Sequence, residues 1–173
     1  MALAQGDLRL LDNEVARRLL RSTVFARLAY NALDGTPRVM PTWFNWTGGE
    51  VVMPTYVSAP HVRHPAGRIR ALRANPDVAI TIDTDGAPPE ALLIRGRAEV
   101  TEIDGVDPDY AASAHRYLGA DGARELLEQV DRPGTRMARI AVRPTWVGVL
   151  DFQTRLPGPL GGVQPESTET ADG

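Results

Sequence analysis

Along this chain, apolar residues recur at helical spacing in a few short stretches and at every second position in most others, so strands dominate the expected architecture. From Asp12 to Ser22, Val15, Leu19 and Leu20 form a stripe opposite Arg17, Arg18 and Arg21, and Asp12 is placed to cap a helix. The period then drops to two. Val24, Ala26, Leu28 and Tyr30 alternate with Phe25, Arg27 and Ala29, which predicts a strand. Asp34-Gly35 predicts a tight turn into a second strand over Arg38–Trp46, and Thr47-Gly48-Gly49 leads to a third over Val51–Tyr56, the three in meander order. Pro41 and Pro54 fall inside these runs and predict an edge, a bulge or a strand break, because proline lacks the amide that a central ladder needs.

Further on, a short helix is expected over Gly67–Ala74, stopped by Asn75-Pro76, and strand character returns over Val78–Asp83. In Ala91–Ile103 the residues Leu92, Ile94, Gly96, Ala98 and Val100 alternate with Leu93, Arg95, Arg97 and Glu99, so one face is core and the other wet or functional. Pro108–Tyr117 and Asp121–Val130 read as two helices parted by Gly119, and Arg136–Val142 and Thr145–Phe152 as two closing strands. Six or seven strands in hairpin order with helices between them define an antiparallel barrel or sandwich of the α+β class. A length of 173 residues fits one such domain, assigned to 13–156, with an N-terminal tail over 1–12 and a flexible C-terminal tail over 157–173.

Charge narrows the chemistry. The segment from Gly158 onward holds Glu166, Glu169 and Asp172 and no basic residue, which leaves 19 basic against 19 acidic residues in the body of the chain. That balance argues against a nucleic-acid-binding surface. All 19 basic residues are Arg, so Schiff-base chemistry and the Walker A phosphate loop, which require a Lys amine, are excluded. Cysteine is absent too, which removes thiol nucleophiles, disulfides, iron–sulfur clusters and Cys-based zinc sites. Asp7 and Arg9 interrupt the N-terminus before any run of signal-peptide length, and no apolar run is long enough to span a membrane, so a cytoplasmic protein is expected.

One stretch stands apart: Val51–Pro76 contains no acidic residue but four arginines, Arg63, Arg68, Arg70 and Arg73, together with His61 and His64. Arg presents a planar fork suited to phosphate, and this segment opens a helix whose first amides also favour anions. Arg70 and Arg73 read as the solvated face of that helix, whereas Arg68, beside Gly67 at its start, reads as an anion ligand. His61 and His64 have metal-ligand spacing without the carboxylates a closed site would need, so no metal is expected, and they serve an anion or solvent. Trp43, Phe44 and Trp46 gather aromatic surface on one strand, where Trp43 and Phe44 face opposite sides. Core, stacking platform and dimer interface are all open readings for these rings. Neither G-x-S-x-G nor G-x-G-x-x-G occurs, and Asp83 and Asp85 read as a solvated loop rather than an acid/base pair.

The blocks DGTPRVMPTWFNW, GGEVVMPTY, RIRALRANPDVAITID, EALLIRGRAEV and ARIAVRPTWVGVLDF, in this order, resemble the pyridoxamine 5'-phosphate oxidase-like family over roughly Val15–Phe152. The resemblance implies an antiparallel split β-barrel with peripheral helices, a homodimer with cofactor sites at the subunit interface, and FMN or the deazaflavin coenzyme F-420 as cofactor. It also implies that Arg68, eight positions before Pro76, holds the cofactor phosphate, with His61 as the alternative because the loop from Ser58 to Gly67 is long. Thr55 and Ser58 would donate hydrogen bonds there, and Arg63 or His61 would add a second charge. The strand Val39, Met40, Pro41, Thr42 and Trp43 corresponds to the one lining the ring. Pro41 interrupts its ladder and frees backbone groups near Thr42, Trp43 supplies an apolar wall, and Trp146 of the partner chain closes the pocket. The activity implied is hydride transfer between the cofactor and a small substrate. The alternatives are a non-catalytic protein that holds a flavin, a deazaflavin or haem, and a dimeric scaffold without cofactor.

Overall fold

The computed structural model describes residues 2–164. Helix α1 (Glu14–Arg21) starts at Asn13, whose side chain accepts the Val15 amide, one residue later than expected because Asp12 ends a 3-10 turn over Leu8–Asp12. It buries Ala16, Leu19 and Leu20 and leaves its arginines outside. Strands β1 (Ala26–Asn31) and β2 (Pro37–Thr42) form the expected hairpin, with Gly35 at φ 79° in its turn. Then come β3 (Asn45–Trp46), β4 (Val51–Val52), β5 (Thr55–Ser58), helix α2 (Gly67–Ala74), β6 (Asp77–Asp83) and β7 (Ala91–Asp104). Helix α3 (Pro108–Val130) is broken at Gly119 (φ 73°), and β8 (Arg136–Leu150) ends the sheet.

The strands pair in the order β2-β1-β6-β7-β8-β4-β3, with β5 also on β8. The single strand expected over Arg38–Trp46 is therefore two, β2 and β3, which lie at opposite ends of the sheet, and this corrects the expected three-stranded meander. A two-residue loop closes a hairpin when it adopts positive φ, as Gly and Asn do readily. The residues between β2 and β3 are Trp43 and Phe44, and neither adopts positive φ. The chain instead crosses from one sheet end to the other, with Phe44 fully buried on the way. The antiparallel sheet is not closed by hydrogen bonds, and with its peripheral helices it forms an α+β split β-barrel. Pro41 lies in the edge strand β2, and Pro54 in the break between β4 and β5.

The long β7–β8 pair is the backbone of the barrel, running from Ala91↔Leu150 to Asp104↔Arg136. The two closing strands expected from sequence are one, because Pro144 sits at a register shift opposite Gly96, where its missing amide does not interrupt the ladder. Leu28, Ile80, Ile94 and Val147, facing one another across four strands, fill the interior with Phe44, Leu92 and Ile140. The N-terminal segment, read as a tail, packs on this body. Leu10 is fully buried, and the Gln5 side chain bonds both backbone groups of Val149, donating to its carbonyl at 2.6 Å and accepting its amide at 2.9 Å. Of the segment read as a flexible C-terminal tail, 157–164 includes a 3-10 turn over Gly158–Leu160, and Val163 bridges to Arg155; positions 165–173 lie outside the described residues. No helix among the described residues is long and apolar enough to cross a membrane.

The bulge fixes a tight approach: a Cβ on Gly96 would stand 2.5 Å from the Arg143 carbonyl oxygen and 2.8 Å from a Val142 methyl. Because the first contact is with backbone, Gly96→Ala should lower stability by about 1–3 kcal/mol, read as a reduced urea midpoint at unchanged slope.

Candidate functional site

Helix α2 buries Ile69, Ala71 and Leu72 and packs on β1 and β7, which leaves Arg68 and Arg70 facing the β1–β2 hairpin. Between helix and hairpin lies an open cavity of about 530 Å³, lined by Tyr30, Leu33, Asp34, Arg38, Met40, Arg68 and Arg70 among others. Three guanidiniums meet one carboxylate there. Arg38 turns toward Asp34, with Nη2 at 3.2 Å from Oδ2. The Thr36 hydroxyl and amide, followed by Arg38, hold the Asp34 carboxyl below its ordinary range, so it stays charged at neutral pH.

Arg68 differs from its neighbours. Among the described residues, eleven arginines form ion pairs. Arg68 is half-buried yet has neither a carboxylate nor a hydrogen-bond acceptor among the described residues. Burial pushes its pKa down, with the Tyr30 phenol opposing weakly. An arginine nevertheless remains protonated, so the site carries a partly desolvated cation without a counter-charge. That is the electrostatic condition for holding an external anion, and the start of α2, where Ala66 supplies no side-chain cap, lines the same cavity.

The adjoining strand β2 is uncovered: Pro37 to Pro41 are exposed on both of its faces and only Thr42 is half-buried. Register places Arg38 and Met40 on the cavity side, opposite Tyr30 and Leu28, while Val39 and Pro41 point outward. Val39, 65% exposed, begins an outer row that crosses five strands as Val39, Ala29, Ala79, Arg95 and Trp146. Trp146 lies flat in this row, with the Arg95 guanidinium 4.2 Å from its ring centre and the backbone of Gly148 and Gly6 against its ring.

The remaining residues singled out in the sequence lie elsewhere. Trp43 stacks on Tyr117 of α3 at 5.1 Å with the planes 6° apart. Thr55 is buried opposite Ala138, and the Ser58 hydroxyl donates to the Gly134 carbonyl at 2.8 Å. His61 meets the Tyr56 ring edge-on at 4.8 Å, and Arg63 is exposed in the loop before α2. None of Thr55, Ser58, His61 and Arg63 lines the Arg68 cavity. Tyr30, Asp34 and Arg38 line it without having been singled out; the signal was the hairpin itself, which sets Tyr30 opposite Arg38. Near His61, the Tyr56 and Tyr110 hydroxyls share a hydrogen bond of 2.7 Å, and burial followed by that bond raises the Tyr56 pKa, so it is neutral at physiological pH.

An open antiparallel barrel, split between two edge strands and carrying a basic cavity beside one of them, defines a protein of the split-barrel class. The chain belongs to the pyridoxamine 5'-phosphate oxidase family, whose sequence model matches residues 12–150. Among solved structures it is similar to an F420 reductase, at 28% identity over 75% of this chain and 93% of that one, with a TM-score of 0.55. It is also similar to general stress protein 26 of Bacillus anthracis (14% identity, 82% and 95% of the two chains, TM-score 0.57) and to a heme binding protein of Mycobacterium smegmatis (20%, 83% and 55%, 0.56). No curated protein sequence matches it.

Because Arg68 has no partner among the described residues, removing its charge should not cost stability. Arg68→Leu is expected to leave the unfolding free energy of the ligand-free chain unchanged or raise it by about 0.5–1 kcal/mol. Inorganic pyrophosphate should raise the melting temperature of the wild type and not that of the variant, as followed by differential scanning calorimetry.

Proposed function

We propose that this chain is a flavin- or deazaflavin-dependent oxidoreductase that acts on a small substrate as a homodimer with cofactor sites at the subunit interface. The observation that carries this reading is the half-buried, unpaired Arg68 at the start of α2, beside a strand exposed on both faces. Membership of the family and the likeness to an F420 reductase support it. FMN and the deazaflavin coenzyme F-420 both offer a phosphate group and a planar ring, and the donor set fits that chemistry: a guanidinium for the anion and an apolar strand for the ring.

In this reading Arg68 and the opening amides of α2 hold the phosphate, with Tyr30 beside them. Thr55, Ser58, His61 and Arg63, from β5 and the loop after it, are the further ligands proposed on the family pattern. Val39, Met40, Pro41 and Thr42 present backbone groups along the ring edge, Trp43 stands at the end of that strand as a wall, and Trp146 of the second copy closes the pocket. The bound cofactor supplies the hydride exchange, and the chain orients it and shields it from water. Dimerisation is supported by the exposure of β2, whose Val39 and Met40 leave apolar surface that a second copy would bury.

Titration with FMN and with the deazaflavin coenzyme, followed by absorbance, tests the reading. Arg68→Ala should weaken binding by about ten- to a hundredfold, the loss of a charge-assisted contact of about 1.5–3 kcal/mol. Binding that survives the substitution unchanged would move the phosphate away from Arg68 toward His61. Cofactor that binds but is neither reduced nor reoxidised with any of a panel of small substrates would assign a carrier role instead. Light scattering at micromolar concentration should give twice the chain mass of 18.8 kDa, and a monomer at that concentration would remove the interface sites.

A further inference from the structure

We propose that Arg116 and Tyr117, neighbours on α3, are the positioning residues of the cofactor-ring wall, fixing the link Trp43–Phe44 through its backbone and the Trp43 indole through its face. The proposal rests on the reading of β2 and Trp43 as the ring-lining segment. The link leaves the ladder after Thr42 and re-enters it at Asn45, so its carbonyls have no strand partner. Side chains take them instead. The Thr42 hydroxyl donates to the Trp43 carbonyl at 3.1 Å, and the Arg116 guanidinium donates to that of Phe44. A second N–H of Arg116 reaches the Leu20 carbonyl at 3.0 Å, at the end of α1 where helix carbonyls lack partners of their own. The Tyr117 hydroxyl donates to the Val24 carbonyl at 3.0 Å, just before β1.

Two adjacent side chains thus tie three separate segments together, and they do so where the barrel is split. Their planar groups complete the arrangement. The Arg116 guanidinium lies 4.2 Å from the Phe44 ring centre and 4.9 Å from that of Tyr117, whose ring covers one face of Trp43. Arg116 has no carboxylate partner among the described residues, and its Nε is buried without an acceptor. An apolar side chain would fill this place without desolvating a charge. What the guanidinium supplies is direction: two donors in a fixed plane, aimed at two carbonyls. The half of α3 that carries the pair ends at Gly119, so it can seat on the split independently of the second half.

Arg116→Met removes both donors at similar volume, Arg116→Lys keeps the charge and one donor, and Tyr117→Leu removes the stack while leaving the guanidinium. Amide hydrogen exchange over residues 43–45 and titration with FMN and the deazaflavin coenzyme are read on the full chain. Arg116→Met should speed exchange at the link, weaken cofactor binding by roughly tenfold or more and shift the absorption band of the bound cofactor, and Arg116→Lys should recover part of each loss. Tyr117→Leu should shift the band with a smaller loss of affinity. Link exchange unchanged in Arg116→Met overturns the clamp. Faster exchange with wild-type affinity and band overturns its role at the cofactor. If Arg68→Ala loses binding while Arg116→Met keeps it, only the positioning role falls; wild-type protein that binds neither cofactor overturns the proposed function and the ring-wall role with it.

Discussion

Two bulky residues with negative φ stand where a hairpin would need Gly or Asn, and much of the molecule follows from that backbone constraint. Since Trp43 and Phe44 cannot fold β2 back onto β3, the sheet acquires two ends joined by a covalent crossing. Phe44 becomes part of the core because the crossing passes over the barrel's interior, and the link's carbonyls must find donor partners away from the sheet. α3 supplies the one for Phe44, and the same pair of side chains reaches back to Leu20 and Val24. The same crossing leaves β2 with a neighbour on one side only, so the strand beside the basic cavity is also the least covered one.

A chain whose only cations are arginines separates structural from ligand-directed charge by the company each one keeps. Arg116 and Arg155 are both shielded from water and lack a carboxylate among the described residues, yet each donates to main-chain carbonyls, Arg155 to Leu3 at 2.8 Å. They work as fasteners. Arg68 is shielded as well and fastens nothing among the described residues. Arg136 and Arg73, by contrast, share Glu102 on the surface, where such pairs contribute little to stability.

Most elements were legible from periodicity, because β1, β6 and β7 alternate cleanly and α2 ends where Asn75-Pro76 forbids further helix. Pairing was less legible. Nothing local distinguishes a Trp-Phe crossing from the middle of a continuous strand, and Pro144 looked like a strand end because its partner, Gly96, lies nearly fifty residues earlier. Arg68 was visible as a cation at a helix start, but its lack of a counter-charge depends on which acids fold nearby. Tyr30 and Arg38 needed the hairpin register before they joined it, and Arg116 needed the crossing. Side chains whose role is to serve distant backbone leave no spacing signal.

An uncovered edge strand normally invites foreign strands to add to it by hydrogen bonding, the route to runaway polymerisation. In β2 the two prolines, Pro37 and Pro41, share parity and so withhold their amides from the same side of the strand. Because β1 pairs with all six residues, that side is the free edge, where the Val39 amide alone is left between them. Such a strand accepts company through its side chains and refuses a further strand through its backbone. A molecule built this way can leave an adhesive surface open for a specific occupant in crowded surroundings without becoming a template for fibres.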